Sequence, residues 1–425
     1  MKLAIEKSIY GGAGLARAEG KAIFVPFTLP GELVEAQVTK DRGSYAEAEL
    51  LAVLEPSPAR VAASCPYYGE CGGCHYQHAS YIEQLAMKKQ ILLESLERAR
   101  LSAIPGIEIL SGEPLHYRNR ARFHLDHASS MLCYKKRASH ENLPVDACPI
   151  SSPLIEEAIK TLNAHRDALQ LAKHFDEAEC FTNGHELLLT FWTTQRSSSP
   201  RSNFQALWTR LKAILPRLSG SAVFSTEREN HRSTLLASAG EQALNYLAAG
   251  EAYRVSVGSF FQVNRFLIDP LTTLVTNGAA GSVAWDLYAG AGLFARLLAS
   301  RFAQVVAVES APSSVQDLRH NLSGTSHRVV ASSTLEFLRR AGREKKGTAD
   351  FVVVDPPRAG LGKEVTALLG ELRPRNITYV SCDPATLSRD LKSLLDSGYS
   401  LKRIHMVDMF PQTFHLESVA MLSLM

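Results

Sequence analysis

The chain has 425 residues, 45% of them hydrophobic and 21% charged, with a formal net charge of +3. Its length allows two or three domains with cores of their own, and the slight basic excess permits a polyanionic partner without demanding one. No apolar run is long enough to span a bilayer, and the Met1–Lys7 start lacks the apolar core of an export signal. Membrane and secreted classes are thereby set aside and a cytoplasmic location is expected. In that reducing compartment the seven cysteines are ligands or nucleophiles rather than disulfides.

Residues 1–57 read as a small β-barrel of the OB type. Val34, Ala36 and Val38 alternate with Glu35, Gln37 and Thr39, and Gly11–Gly14, Thr28–Gly31 and Asp41–Ser44 supply turns. Lys2, Lys7, Lys21, Lys40 and Arg42 could line a phosphate-facing surface or a merely solvated one. Residues 58–255 form the middle of the chain, entered through Pro56 and Pro58. Cys65, Cys71 and Cys74 follow at C-x5-C-x2-C spacing, with glycines that let the backbone wrap a metal or cluster. A fourth ligand is needed. Cys148, followed by Pro149, is the best candidate, and Cys133, Cys180 or His75 are the alternatives. Four thiolates suit structural zinc or a 4Fe-4S iron–sulfur cluster almost equally, and the Cys-Pro step tilts the reading to the cluster.

Ile82, Leu85, Leu92 and Leu96 fall at helical spacing over 81–100, with Lys88, Lys89, Arg98 and Arg100 mostly elsewhere. Tyr117–His124 alternates as a strand that places Arg118, Arg120 and Arg122 on one face, and Tyr134–Arg137 belongs to a neighbouring strand. Same-facing cations interleaved with aromatics suit RNA. Arg196–Arg201 reads as a loop.

Residues 256–425 read as a doubly wound, Rossmann-like α/β domain. Val283–Leu287 runs into Ala289-Gly290-Ala291-Gly292, and Val305–Val308 ends in Glu309. A glycine-rich turn followed by a strand-end acid suits a nucleoside cofactor whose ribose the acid accepts. The missing third glycine argues against a pyrophosphate, whereas S-adenosylmethionine has none. Phe351–Val354 ends in Asp355-Pro356-Pro357-Arg358. Ile377–Ser381 leads to Cys382, then to Asp383-Pro384, an N-cap acceptor with proline at the first helical position. Cys382 thus sits at a strand's carboxyl end beside a helix N-terminus, a place that favours ligands and a thiolate. Met409–Val419 closes the chain with one acid, Glu417, in an apolar setting that would raise its pKa.

Taken together these stretches resemble the S-adenosylmethionine-dependent RNA 5-methyluridine (uracil-C5) methyltransferases, most closely the bacterial 23S rRNA branch with a TRAM barrel and an iron–sulfur cluster. The motifs that carry the resemblance are Cys65/Cys71/Cys74/Cys148, Ser259–Asn264, Asp286–Tyr288, Asp355–Arg358, Ser381–Pro384 and His415–Ser418. The resemblance implies cofactor contacts at Gln262, Tyr288, Glu309 and Asp355, a nucleophile at Cys382 and a proton acceptor at Glu417. It implies RNA, with 23S rRNA ahead of tRNA, as the partner, and no obligate protein partner is evident. Leu293 and Val330–Ser333 depart from the family pattern near the cofactor. Such chemistry needs a thiolate to add to uracil C6, so that C5 becomes nucleophilic, and a base to remove the C5 proton. Competing expectations are methylation of cytosine or of an exocyclic amine, and an iron–sulfur RNA-binding protein with an inactive methyltransferase domain.

Overall fold

A computed structural model describes residues 1–101, 103–194, 200–226, 233–324, 327–344 and 349–425. β1 (Lys2–Ser8), β2 (Ala13–Ala18), β3 (Lys21–Pro26), β4 (Leu33–Asp41) and β5 (Tyr45–Glu55) close into a barrel in the order β1-β2-β3-β5-β4. The period-two pattern is the cause: Leu3, Ile5, Ile23, Val25, Val34 and Ala36 fill the interior, while their neighbours face out. Val38 departs from the expected alternation, being 41% exposed where β4 runs past the core. Gly14 is required where β2 meets the next turn, because a Cβ there would lie 2.2 Å from Thr28 Oγ1.

The expected helix is α1 (Tyr81–Arg98), capped by the Ser80 hydroxyl, which accepts from Glu83 N. Leu92 and Leu96 are fully buried, but Ile82 is 81% exposed and Lys88 is wholly buried. The chain then adds β6 (Ile107–Leu110).

The middle sheet contains β7 (Arg120–Asp126), β8 (Met131–Lys135) and β9 (Asn142–Pro144). After α2 (Pro153–Ala164) and α3 (Arg166–Leu171) come β10 (Glu177–Thr182) and β11 (Leu187–Thr193). After α4 (Pro200–Ile214) come β12 (Leu218–Thr226) and β13 (Ser233–Gly240). Among the described residues the order is β13-β12-β11-β10-β7-β8-β9, with Ile155, Ile159 and Leu162 of α2 and Leu207 and Leu211 of α4 in its core. Of the loop expected over Arg196–Arg201, Arg196–Ser199 lie outside the described residues, while Pro200 and Arg201 open α4. A hairpin of β14 (Ala243–Ala248) and β15 (Glu251–Ser256) leads on.

The C-terminal part alternates α5 (Ile268–Thr276), β16 (Gly281–Leu287), α6 (Leu293–Leu298), β17 (Phe302–Glu309), α7 (Pro312–Asn321), β18 (Arg328–Ala331) and α8 (Thr334–Glu344). It continues with β19 (Phe351–Val354), α9 (Gly362–Leu372), β20 (Asn376–Ser381), α10 (Pro384–Asp396), β21 (Tyr399–Val407) and β22 (Glu417–Leu424). Among the described residues these strands and β6 form one sheet, ordered β18-β17-β16-β19-β20-β22-β21-β6. β16 to β20 pair in parallel, and β22 runs antiparallel between β20 and β21. The expected doubly wound domain is present, with cores on both faces. Val305, Ala307 and Val353 pack on α5, α6 and α7, whereas Val306, Val308, Val352 and Val354 pack on α1, α8, α9 and α10. Residues 81–110, placed in the middle of the chain by the sequence, therefore pack with this sheet. No helix among the described residues is long and apolar enough to cross a membrane.

Candidate active site

The order reverses between β16 and β19, and the parallel strands end level with one another. Strand-end residues meet in that crevice. Cys382 follows β20 directly. The β20–β22 register ends at Ser381 opposite Ser418, so the next position outward sets Cys382 across from Glu417, on one side of the sheet. Asp383 caps α10 by accepting from Ala385 N (3.0 Å) and Thr386 N (2.9 Å).

That cap corrects the expectation of a favoured thiolate at Cys382. The free amides of the helix start are spent on the Asp383 carboxylate. Burial, then the Glu417 and Asp355 carboxylates, push the thiol up to about 12, with Arg358 the opposing cation. Glu417 is 6% exposed, and burial followed by Asp355 holds its carboxyl well above the usual range, as expected of the apolar segment. Burial lifts Asp355 to about 7, and Gln262 Nε2 donates to its Oδ2 at 3.4 Å. Arg358 Nη2 donates to His415 Nδ1 at 3.2 Å; burial, then Arg358, lowers that ring to about 4 and keeps it a neutral acceptor.

The side expected to take the cofactor begins at Tyr288, which turns the chain out of β16 at φ +65°, and at Gly292, φ +92°, which opens α6. A Cβ on Gly292 would lie 2.7 Å from Leu318 Cδ1, so glycine lets α6 approach α7. Glu309 Oε2 accepts from Gly290 N (2.9 Å), and Oε1 accepts from Ser310 N and Ala311 N (2.7 Å each). Its carboxylate thus ties the glycine turn to the start of α7 and keeps about one acceptor position free for a hydroxyl. Asp286 is fully buried and lifted to about 8 by burial. Its Oδ2 accepts from Ala295 N (2.7 Å), and its Oδ1 has no partner among the described residues. Leu293 lies in the core, and Ser333 pairs with Glu336 as the cap of α8. Gathered carboxylates around a short glycine turn fit a cationic, phosphate-free nucleoside.

Cys65, Cys71, Cys74 and Cys148 line one cavity of about 330 Å³ together with Arg118, Tyr134 and Gln77. Gly73 N donates to Cys71 Sγ (3.4 Å) and Tyr134 Oη to Cys148 Sγ (3.6 Å). Cys133 and Cys180 are buried in β8 and β10 and are not part of that lining. Among the described residues no three His, Cys, Asp or Glu side chains close on one point as the ligands of a single ion would.

The basic strands differ from expectation. Arg118, Arg120 and Arg122 do share a face, but most of it is covered. Arg118 lines the cysteine cavity. Arg120 donates to Ser259 O (2.7 Å), pairs with Glu179 (3.6 Å) and lies over Phe181. Arg122 pairs with Glu177 (2.5 Å) over Trp192 and alone keeps substantial exposure. On the barrel, Lys21 pairs with Asp41, Arg42 with Glu47 (3.3 Å), and Lys7 reaches Glu94 of α1 (2.6 Å). Nothing in the sequence pointed to Tyr10, which the β1–β2 turn brings beside the Cys382 stretch, its hydroxyl 3.5 Å from Cys382 O and its ring edge-on to Phe414. Nor did the sequence reveal Lys88 as the buried partner of Asp408 (2.5 Å).

A doubly wound sheet with a nucleoside cradle, a strand-end cysteine and an opposed carboxyl defines a methyltransferase that uses a sulfonium nucleoside. A profile of the tRNA (Uracil-5-)-methyltransferase family matches residues 80–425, and one of the TRAM domain matches residues 3–51. An uncharacterized RNA methyltransferase of Aquifex aeolicus is 35% identical over 99% of this chain and 98% of its own. The 23S rRNA (uracil(1939)-C(5))-methyltransferase RlmD of Shewanella amazonensis is 31% identical over 99% of this chain and 95% of its own. The structure of Pyrococcus abyssi tRNA (uracil-54, C5)-methyltransferase with S-adenosyl-L-homocysteine shares the fold, with TM-score 0.76 at 23% identity, over 99% of this chain and 100% of that one. The chain belongs to the tRNA (Uracil-5-)-methyltransferase family and is an S-adenosylmethionine-dependent RNA uracil-C5 methyltransferase. The amine-methylating and inactive-domain readings are thereby set aside.

Proposed function

We propose that the enzyme methylates C5 of a specific uridine in 23S rRNA through a covalent Cys382 adduct. The observation that carries this is the placement of Cys382 opposite Glu417, beside Asp355, where β20 and β22 end. The Cys382 thiolate adds to C6, and the C5–C6 electron pair moves out to the C4 oxygen as an enolate. Bound S-adenosylmethionine supplies an electrophilic methyl group and leaves as a neutral thioether. C5 takes the methyl group as the enolate collapses. The Glu417 carboxylate then accepts the C5 proton, and the electrons of that C–H bond restore C5=C6 and expel the thiolate. Gln262, Tyr288, Glu309 and Asp355 hold the cofactor. The base must leave its stack to reach both groups.

Two arms test the reading. With labelled cofactor and target RNA on a denaturing gel, Cys382→Ala gives no adduct, while Glu417→Gln stalls as a labelled protein–RNA adduct. A labelled adduct from Cys382→Ala removes it as nucleophile. Mapping 5-methyluridine in rRNA and tRNA from cells lacking the protein decides the substrate. Loss confined to 23S rRNA supports the proposal, which leans on the RlmD relative and the TRAM match, and loss confined to tRNA replaces it.

We further propose that Cys65, Cys71, Cys74 and Cys148 hold a 4Fe-4S cluster. What supports this is that all four thiols line one cavity of about 330 Å³, room that a multi-atom cluster needs. Arg118 at its wall would offset the charge of the four thiolates. The cluster would tie Cys148 to the Cys65–Cys74 loop.

A further inference from the structure

The segment that connects β21 to β22, residues 408–416, delivers Glu417 to the site, yet it is held almost entirely from outside. Lys88 Nζ donates to Asp408 Oδ1 (2.5 Å) and to Phe410 O (2.9 Å). Asn264 Nδ2 donates to Met409 O (3.2 Å) and Tyr117 Oη to Pro411 O (3.1 Å). His75 N and Tyr76 N both donate to Gln412 O (2.8 and 3.0 Å). Gln84 and Gln412 bond reciprocally: Gln412 N donates to Gln84 Oε1 (2.9 Å), and Gln84 Nε2 donates to Gln412 Oε1 (3.0 Å).

At the centre of these bonds Gln412 is 7% exposed and has φ +69°. A left-handed conformation is disfavoured for a residue with a side chain. It persists only where the surroundings over-determine it, and such strain gathers at functional sites. From Gln412 onward the turn is closed on itself. Thr413 Oγ1 donates to Phe410 O (2.8 Å) and accepts from His415 N (3.2 Å), and Leu416 is buried in the same core as Leu92 and Leu96 of α1. A displacement at Gln412 thus has a short, internally bonded stretch through which to reach Glu417.

We infer that Gln84, together with Lys88 one turn along the same face of α1, is a positioning residue for the Glu417 carboxylate in the proton-removal step. This rests on the reading of Glu417 as the proton acceptor. Neither residue touches the cysteine nucleophile or the cofactor cradle. Loosening them should therefore spare thiolate addition and methyl transfer and slow only the last step.

The test uses the full chain as Gln84→Leu, which loses both bonds to Gln412, and Gln84→Glu, which keeps an acceptor for Gln412 N. Glu417→Gln serves as the reference. Single-turnover reactions with labelled cofactor and target RNA are followed for methyl transfer, for denaturation-resistant methylated adduct and for free methylated RNA. Since an ångström of misplacement costs up to about 100-fold, Gln84→Leu should slow adduct release about tenfold or more. Its methyl-transfer rate and cofactor KM should stay near wild type. Gln84→Glu should show a smaller lag and a partial rescue. A purely structural role would lower the amount of active enzyme without changing the ratio of adduct to free product, and that result overturns the inference. If Gln84→Leu is not recovered folded, the adduct ratio of Gln84→Glu decides. An adduct with Glu417→Gln but not with the Gln84 variants refutes the positioning role alone. No adduct with Glu417→Gln refutes the proton-acceptor reading, and the inference falls with it.

Discussion

Replacing Glu417 by Gln should make Cys382 more acidic and more reactive in the free enzyme. Cys382 and Glu417 lie one position beyond the last β20–β22 pair, Ser381 opposite Ser418, and opposed residues of an antiparallel pair have Cβ atoms about 4.5–5.5 Å apart. Two unit charges about 5 Å apart in an effective dielectric of about 20 repel by ~3 kcal/mol. At 1.36 kcal/mol per unit this is roughly two pKa units as an upper bound. Cys382 is only partly buried, so solvent screening cuts the shift to about one unit, or about tenfold in thiolate at a given pH.

The sign follows from the order of causes. Burial raises the thiol first, then Glu417, then Asp355, so removing a negative neighbour lowers it. Glu417 is itself held protonated well above the usual carboxylate range. The difference from wild type must therefore shrink as pH falls and Glu417 loses its charge. The assay is the rate of Cys382 alkylation by iodoacetamide from mildly acidic to strongly alkaline pH, without RNA, read by peptide mass spectrometry to separate it from the other cysteines. Superimposable profiles, or a less reactive variant, would refute the electrostatic account of the pair.

Lys88→Met should destabilise the protein by about 3–5 kcal/mol, because it leaves Asp408 buried without its cation, and Lys88→Met with Asp408→Leu should recover much of that loss; urea unfolding of the three proteins checks both. Cys71→Ser should lose the iron, the sulfide and the broad visible absorption of protein purified without oxygen, whereas a colourless wild type with stoichiometric zinc would refute the cluster. Arg120→Ala should lower stability by roughly 1–3 kcal/mol through Glu179 and Ser259 O left without their donor, while Arg122→Ala should reduce the salt slope of RNA binding by about one if it meets a phosphate; equal melting midpoints for Arg120→Ala and wild type would refute the first.

What the sequence made legible was local. The Asp383-Pro384 step marks a helix start wherever it stands, and α10 begins at Pro384 with Asp383 as its cap. The apolar runs before Glu309 and Asp355 read as strands, and they are β17 and β19. What escaped depends on partners distant in the chain. Helical spacing puts Lys88 one turn before Leu92 on the same face, but nothing nearby says that Asp408, rather than water, meets its charge. Alternation correctly gave Arg118, Arg120 and Arg122 one face, but Glu177, Glu179 and Phe181 arrive there only through the β7–β10 pairing. The thiolate expected at Cys382 is opposed first by burial and then by Glu417 and Asp355, neighbours that only the fold brings to it. β6, four residues long, is too short for periodicity to announce.

The antiparallel insertion of β22 between β20 and β21 has a consequence for how the enzyme is made. Synthesis runs from the N-terminus, so α1, Tyr117 and Asn264 exist long before residues 408–424 leave the ribosome. Until those residues arrive, β20 and β21 are two open edges with a vacant seam between them, a state prone to pairing with other chains. Gln84 and Lys88 lack their partners during the same interval. Glu417, the proposed proton acceptor, and the strand that closes the sheet belong to one stretch of chain, so both arrive in a single late event. A partly made chain thus lacks both the Glu417 carboxyl and the strand that pairs beside Cys382.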